Sequence, residues 1–110
     1  MKLINLTPHA ITFVDASGNV AATVPPSGTV ARCSVDRMMV DEVLCDGIHV
    51  PVNRTCFGAV EGLPEPFEDT IYIVSSLVAQ AAGREDVMIP DDTVRDADGR
   101  IIGCRALARI

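Results

Sequence analysis

Short apolar runs, cut repeatedly by Gly, Pro, Asn and Asp, commit this chain to strands joined by turns. "KLINL" reads as a first strand, ended at Thr7-Pro8 because proline offers no ladder donor and restricts the residue before it. "AITFVD" and "NVAATV" flank Ala16-Ser17-Gly18-Asn19 and form a hairpin. After "PPSG", "TVARCSV" resumes as a strand with Ala31, Cys33 and Val35 on one apolar face and Val30, Arg32 and Ser34 on the other. The stretch from Asp36 to Pro66 reads as a further hairpin turning at Asp46-Gly47, followed by a Gly/Pro-rich loop over 62–66. A last hairpin turns at Asp96-Ala97-Asp98-Gly99, where the glycine supplies the positive φ of a bulge. Asp-x-Asp-Gly also occurs in calcium loops, but the later ligands and the distal Glu are missing, so no metal site is expected.

Helical spacing surfaces in one place, "IYIVSSLVAQAAGRED" over 71–86. "TIYIV" is β-branched and aromatic and reads as a strand that runs directly into Ser75-Ser76. Beyond it Leu77, Val78, Ala81 and Ala82 fall at helical spacings and Gly83 is suited to end the helix, so the spacing predicts one short helix over about 76–83. "VMIP" returns as a strand. The expected fold class is α+β: mostly antiparallel β, in a small sheet or a barrel-like arrangement, with that one helix. The 110 residues form a single domain over 1–110. A domain of this length buries roughly 65% of the surface of its unfolded chain, enough to fold without staples.

Apolar residues make up 48% of the chain and charged ones 22%, which leaves little charge to coat a surface. A buried subunit interface would absorb the excess, so a homo-oligomer is expected. The net charge is −6, from 15 acidic and 9 basic side chains, and no stretch gathers Lys and Arg. Binding to nucleic acid through phosphate neutralisation is therefore not expected. The lack of Trp, with Phe13, Phe57, Phe67 and Tyr72 as the only aromatic residues besides histidine, also argues against a base-stacking platform. Cys33, Cys45, Cys56 and Cys104 show no CxxC and no His at metal-ligand spacing, and read as reduced thiols of a cytosolic protein. "MKLINLTPHAITF" is too polar for a signal peptide, and no apolar run approaches the roughly 18 residues that span a bilayer. The expected location is the cytoplasm, where the sequon Asn53-Arg54-Thr55 has no role.

Chemistry is concentrated in few residues. The turn that starts the helix leaves backbone N–H groups free, and with Ser75 and Ser76 it forms a candidate seat for an anionic group; the alternative is an ordinary capping serine. His9 follows the break at Pro8, where its side chain can face a ligand or simply hold the turn. His49 alternates with Ile48 and Val50 and reads as surface. Arg32, Arg84, Arg95, Arg100, Arg105 and Arg109 include several among small or apolar neighbours, as in "TVARCSV" and "GCRALARI". A partly desolvated arginine fork grips phosphate or carboxylate, whereas a surface arginine only snorkels. No GxGxxG, GxxxxGK[ST], GxSxG or HExxH is present, and no catalytic pair is fixed by local spacing. Binding is expected before catalysis, with no cofactor and no metal.

"INLTPHAITFVD", "PPSGTVARCSV", "FGAVEGLPEP", "IYIVSSLVAQAAGREDVMIP" and "DADGRIIGCRALARI" together resemble a group of small bacteriophage and prophage-associated proteins of about this length. The resemblance covers nearly the whole chain and carries no catalytic motif with it. What it implies is an accessory protein that acts by binding in the bacterial host cell. One reading is capture of an anionic small molecule, such as a nucleotide-derived host-defence signal, at His9, Arg32, Ser75, Ser76, Arg84 and Arg105, with these residues converging on one pocket or subunit interface. The other is an acidic interaction protein that binds and inhibits a host protein by charge complementarity, through clusters such as Glu65, Glu68 and Asp69 or Asp91 and Asp92.

Overall fold

The computed structural model describes residues 1–110. Its elements follow in the order β1 (Lys2–Asn5), β2 (Ile11–Val14), β3 (Val20–Val24), β4 (Arg32–Cys45), β5 (Ile48–Glu61), β6 (Thr70–Ile73), α1 (Ser76–Ala82), β7 (Val87–Arg95) and β8 (Ile101–Ala108). The fold class is α+β with most paired strand residues in antiparallel ladders and one short helix, as the turn-punctuated pattern predicts. Six strands form a body sheet in the order β1-β6-β7-β8-β2-β3, and β4 with β5 forms a separate two-stranded ribbon.

Within the body, β1, β6 and β7 run parallel to one another, and β7 pairs antiparallel with β8. The parallel step from β6 to β7 is carried by α1, because parallel neighbours need a crossover. The helix begins at Ser75, whose hydroxyl accepts from the Val78 N–H at 3.4 Å, and ends at Gly83 in the left-handed region. Its Val78 and Ala79 pack with Leu6, Tyr72, Val74 and Val87 into the main core, and Cys33 and Val60 from the ribbon's base pack against that cluster. A smaller cluster of Ile11, Ile73 and Cys104 fills the other side of the sheet.

Asn5 draws the two edges of this sheet together. It is 1% exposed, and its side chain spends its whole hydrogen-bonding capacity. Nδ2 donates to the carbonyls of His9 at 2.7 Å and Val24 at 3.2 Å, while Oδ1 accepts from the Thr7 N–H at 2.9 Å and hydroxyl at 2.7 Å. The Asn5 carbonyl accepts from the Ser27 N–H at 3.0 Å. The end of β1 is thus tied to the end of β3 at the other edge of the open sheet.

Two turns repeat one device. Asp15 Oδ1 accepts from the N–H groups of Ser17 and Asn19, and Asp96 Oδ1 from those of Asp98 and Arg100. The aspartate side chain replaces the ladder where each chain reverses.

Where a short strand over 29–35 and a separate hairpin are expected, the structure has one continuous pair of strands. β4 and β5 each run for 14 residues and turn at Asp46-Gly47, both with positive φ, as a primed two-residue turn requires. Register shifts between Cys33 and Val35 and between Met39 and Asp41 let the ribbon twist instead of ending. The ribbon leaves the body as an arm. The radius of gyration is 17.5 Å, against about 13 Å for a compact chain of this length. At the arm's base Gly62 has φ +78°, and a Cβ there would stand 2.7 Å from the Val30 carbonyl oxygen, so only glycine lets the chain leave β5 beside that backbone.

Candidate functional site

The parallel run of β1, β6 and β7 brings three strand starts to one end of the sheet. The residues just before those starts, Met1, Asp69 and Asp86, therefore meet, and the Asp69 and Asp86 carbonyls accept from the Lys2 and Tyr72 N–H groups at 2.7 and 2.9 Å. β8 is antiparallel to β7, so its far end delivers Arg109 to the same place, where Nε donates to the Glu85 carbonyl at 2.9 Å. The result is a groove of about 300 Å³ lined by the apolar Phe67, Ile71 and Met88, the acidic Asp69, Glu85 and Asp86 and the basic Arg109. Phe67 is 74% exposed and Met1 85%. An exposed aromatic in one groove with the carboxylates of Asp69 and Glu85 suits a chain that is both basic and apolar.

Arg84 stands beside this groove as a clamp. Its Nε and Nη2 donate to the two Asp86 oxygens at 2.9 and 2.6 Å, and Nη1 donates to the Pro64 carbonyl at 2.9 Å. The guanidinium carbon lies 5.8 Å from the Tyr72 ring centroid, and the Tyr72 hydroxyl donates to the Glu65 carbonyl at 3.2 Å. Arg84 and Tyr72 thereby fasten the loop between β5 and β6 to the body. The hydrogen bond from Arg84 holds the Asp86 carboxyl below its ordinary range, and the same bond raises Arg84.

The other expected ligand residues lie apart. Ser75 caps α1, and the Ser76 hydroxyl accepts from Gln80 Nε2 at 3.1 Å. Both sit where β6 ends, at the opposite end of the strand from the acidic groove. His9 is exposed; its carbonyl accepts from Asn5 and from the Thr7 hydroxyl, while its imidazole makes no hydrogen bond. Arg105 lies 3.9 Å from Asp92 on the surface. Arg32 lines a cleft of about 250 Å³ at the arm's base with Cys33, Ser34, Ala59 and Glu61. A further cleft of about 170 Å³ lies over Cys104, whose burial pushes its thiol up and leaves it a weak nucleophile. None of these three clefts is lined by more than one of the six expected residues.

Sequence reasoning named the cluster of Glu65, Glu68 and Asp69 but missed that Asp69 alone of the three meets Glu85, Asp86 and Arg109. The signal was there only in part: Phe67 is an aromatic set between acids in a Pro-rich loop. No three His, Cys, Asp or Glu side chains are placed to hold a metal ion, and no helix is long and apolar enough to cross a membrane. Compared with protein families, with curated proteins and with solved structures, the chain shows no match.

Proposed function

We propose that the protein is a small phage-type accessory protein that binds and inhibits a protein of the bacterial host, presenting its acidic groove to a basic segment of that partner in the cytoplasm. The observation that carries this reading is that Asp69 and Glu85, neither of them held in an ion pair, share one groove with the exposed Phe67. Opposite charge steers the partner in, and the aromatic ring supplies the contact that holds it. The test is capture from host lysate with the wild-type chain and with Asp69→Lys/Glu85→Lys. A host protein retained by the first and released by the second supports the reading; identical captures overturn it.

A second reading, capture of an anionic small molecule, is favoured by Arg32. Its side chain has no carboxylate at ion-pairing distance and opens onto the cleft at the arm's base. Glu61, paired with Arg32 across the ribbon, counts against it. A melting-temperature panel of nucleotides, cyclic oligonucleotides and ADP-ribose derivatives separates the two readings. A ligand at a hundred times its Kd adds about 2.7 kcal/mol, roughly 10 °C or more for a domain this size. Such a shift, lost in Arg32→Ala, supports capture, and a flat panel rejects it.

A further inference from the structure

The arm of β4 and β5 carries more open apolar surface than any other part of the molecule. Along β5, Ile48, Val50, Val52, Arg54 and Cys56 share one face, and their partners across the ribbon are Cys45, Val43, Asp41, Met38 and Asp36. On that face Ile48 is 63% exposed, Met38 53%, and Val43 and Val50 40% each. The opposite face is not a plain solvent face either, since Val35 pairs there with Phe57 and Met39 and Leu44 stand open. A two-stranded ribbon is marginal in water by itself, and this one has apolar side chains on both sides. Whatever covers it must be present whenever the chain is folded. A second copy meets that condition at every moment of synthesis; a partner of different origin does not.

Area decides how the copy must sit. Strands of 14 residues, at about 3.3 Å per residue and with a ribbon width of about 10 Å, offer roughly 450 Å² per face and about 900 Å² over both. A stable interface takes about 800 Å² from each partner. One face falls short and two reach it.

We propose that the arm is a self-association device. In a two-fold dimer the faces bearing Ile48, Val50 and Val52 lie against each other, and each partner's body covers the face bearing Val35 and Phe57. A two-fold interface must complement itself, and this face does so in charge: it carries Arg54 together with Asp36 and Asp41, so each copy brings both signs to the seam. The inference is independent of the acidic groove, which lies on the body.

Sedimentation equilibrium of the full chain tests it, together with its melting temperature over a wide range of protein concentration. The expected mass is twice 11.7 kDa, with a melting temperature that rises with concentration. Val50→Lys is expected to sediment as the monomer, while Asp98→Lys, in the turn between β7 and β8, keeps the dimer mass. If Val50→Lys does not fold, the concentration dependence of the wild-type melting temperature decides. A wild-type mass other than the dimer's, a melting temperature independent of concentration, or a Val50→Lys chain that remains dimeric overturns the proposal.

Discussion

Arg84 grips both oxygens of Asp86, at 2.6 and 2.9 Å, from only two residues away in the chain. The pair is about three-quarters buried, its side chains 25% and 22% exposed. Because the same guanidinium also holds the Pro64 carbonyl, its loss frees a loop as well as a charge. Arg84→Ala is expected to lower stability by about 1–3 kcal/mol at neutral pH, measured by urea unfolding. Asp86 is depressed in the folded state, so its contribution is present above the unfolded carboxyl value of about 3.9 and is lost as pH falls through the lower folded value. The difference between wild type and Asp86→Asn is expected to shrink below about pH 4 and to stay constant above it.

Asn5 predicts a sharper loss. Its buried amide closes four hydrogen bonds between β1, the following turn and β3. Asn5→Ala leaves the His9 and Val24 carbonyls and the Thr7 donors without their partner. A cost of about 2–4 kcal/mol is expected in chemical denaturation. Asn5→Asp should be nearly as costly, because a carboxylate cannot donate to those two carbonyls. Amide exchange at Ser27, which donates to the Asn5 carbonyl, should speed up in both variants.

Cys104 is 2% exposed, packs with Ile11 and Ile73, and lies against the Thr12 carbonyl at 3.7 Å. Burial keeps its thiol protonated and out of reach. In alkylation followed by mass spectrometry it is expected to be the last of the four cysteines to react, at a rate that follows unfolding. Reaction at the rate of an open thiol would contradict this placement.

What the sequence makes legible is what local chemistry decides. The reversals at Asp46-Gly47 and Asp96–Gly99 and the helix that ends at Gly83 all follow from residues adjacent in the chain. The continuity of the strand over 29–35 with the hairpin does not, because Asp36-Arg37 looks like a break when one face is assumed to be buried. Beyond the arm's base no face is buried, and the chain simply continues the ladder there. Likewise Ser75 is legible as a cap, while Arg84, which reads from sequence as a candidate for gripping a ligand, is bound to Asp86 instead. The acidic groove depends on β1, β6 and β7 being parallel neighbours. That pairing joins residues far apart in sequence, and nothing in a local window records it.

The central claim, that the acidic groove steers a host protein onto this chain, is tested most directly by an association rate. With the captured host protein as partner, the rate for the wild-type chain is measured at low and at high salt and compared with that of Glu85→Lys. Electrostatic steering commonly contributes about tenfold or more to such a rate. The expected result is a wild-type rate that falls by about that factor with salt, and a Glu85→Lys rate that is already low and nearly indifferent to salt. Equal rates for the two chains, with the same salt dependence, would contradict the claim.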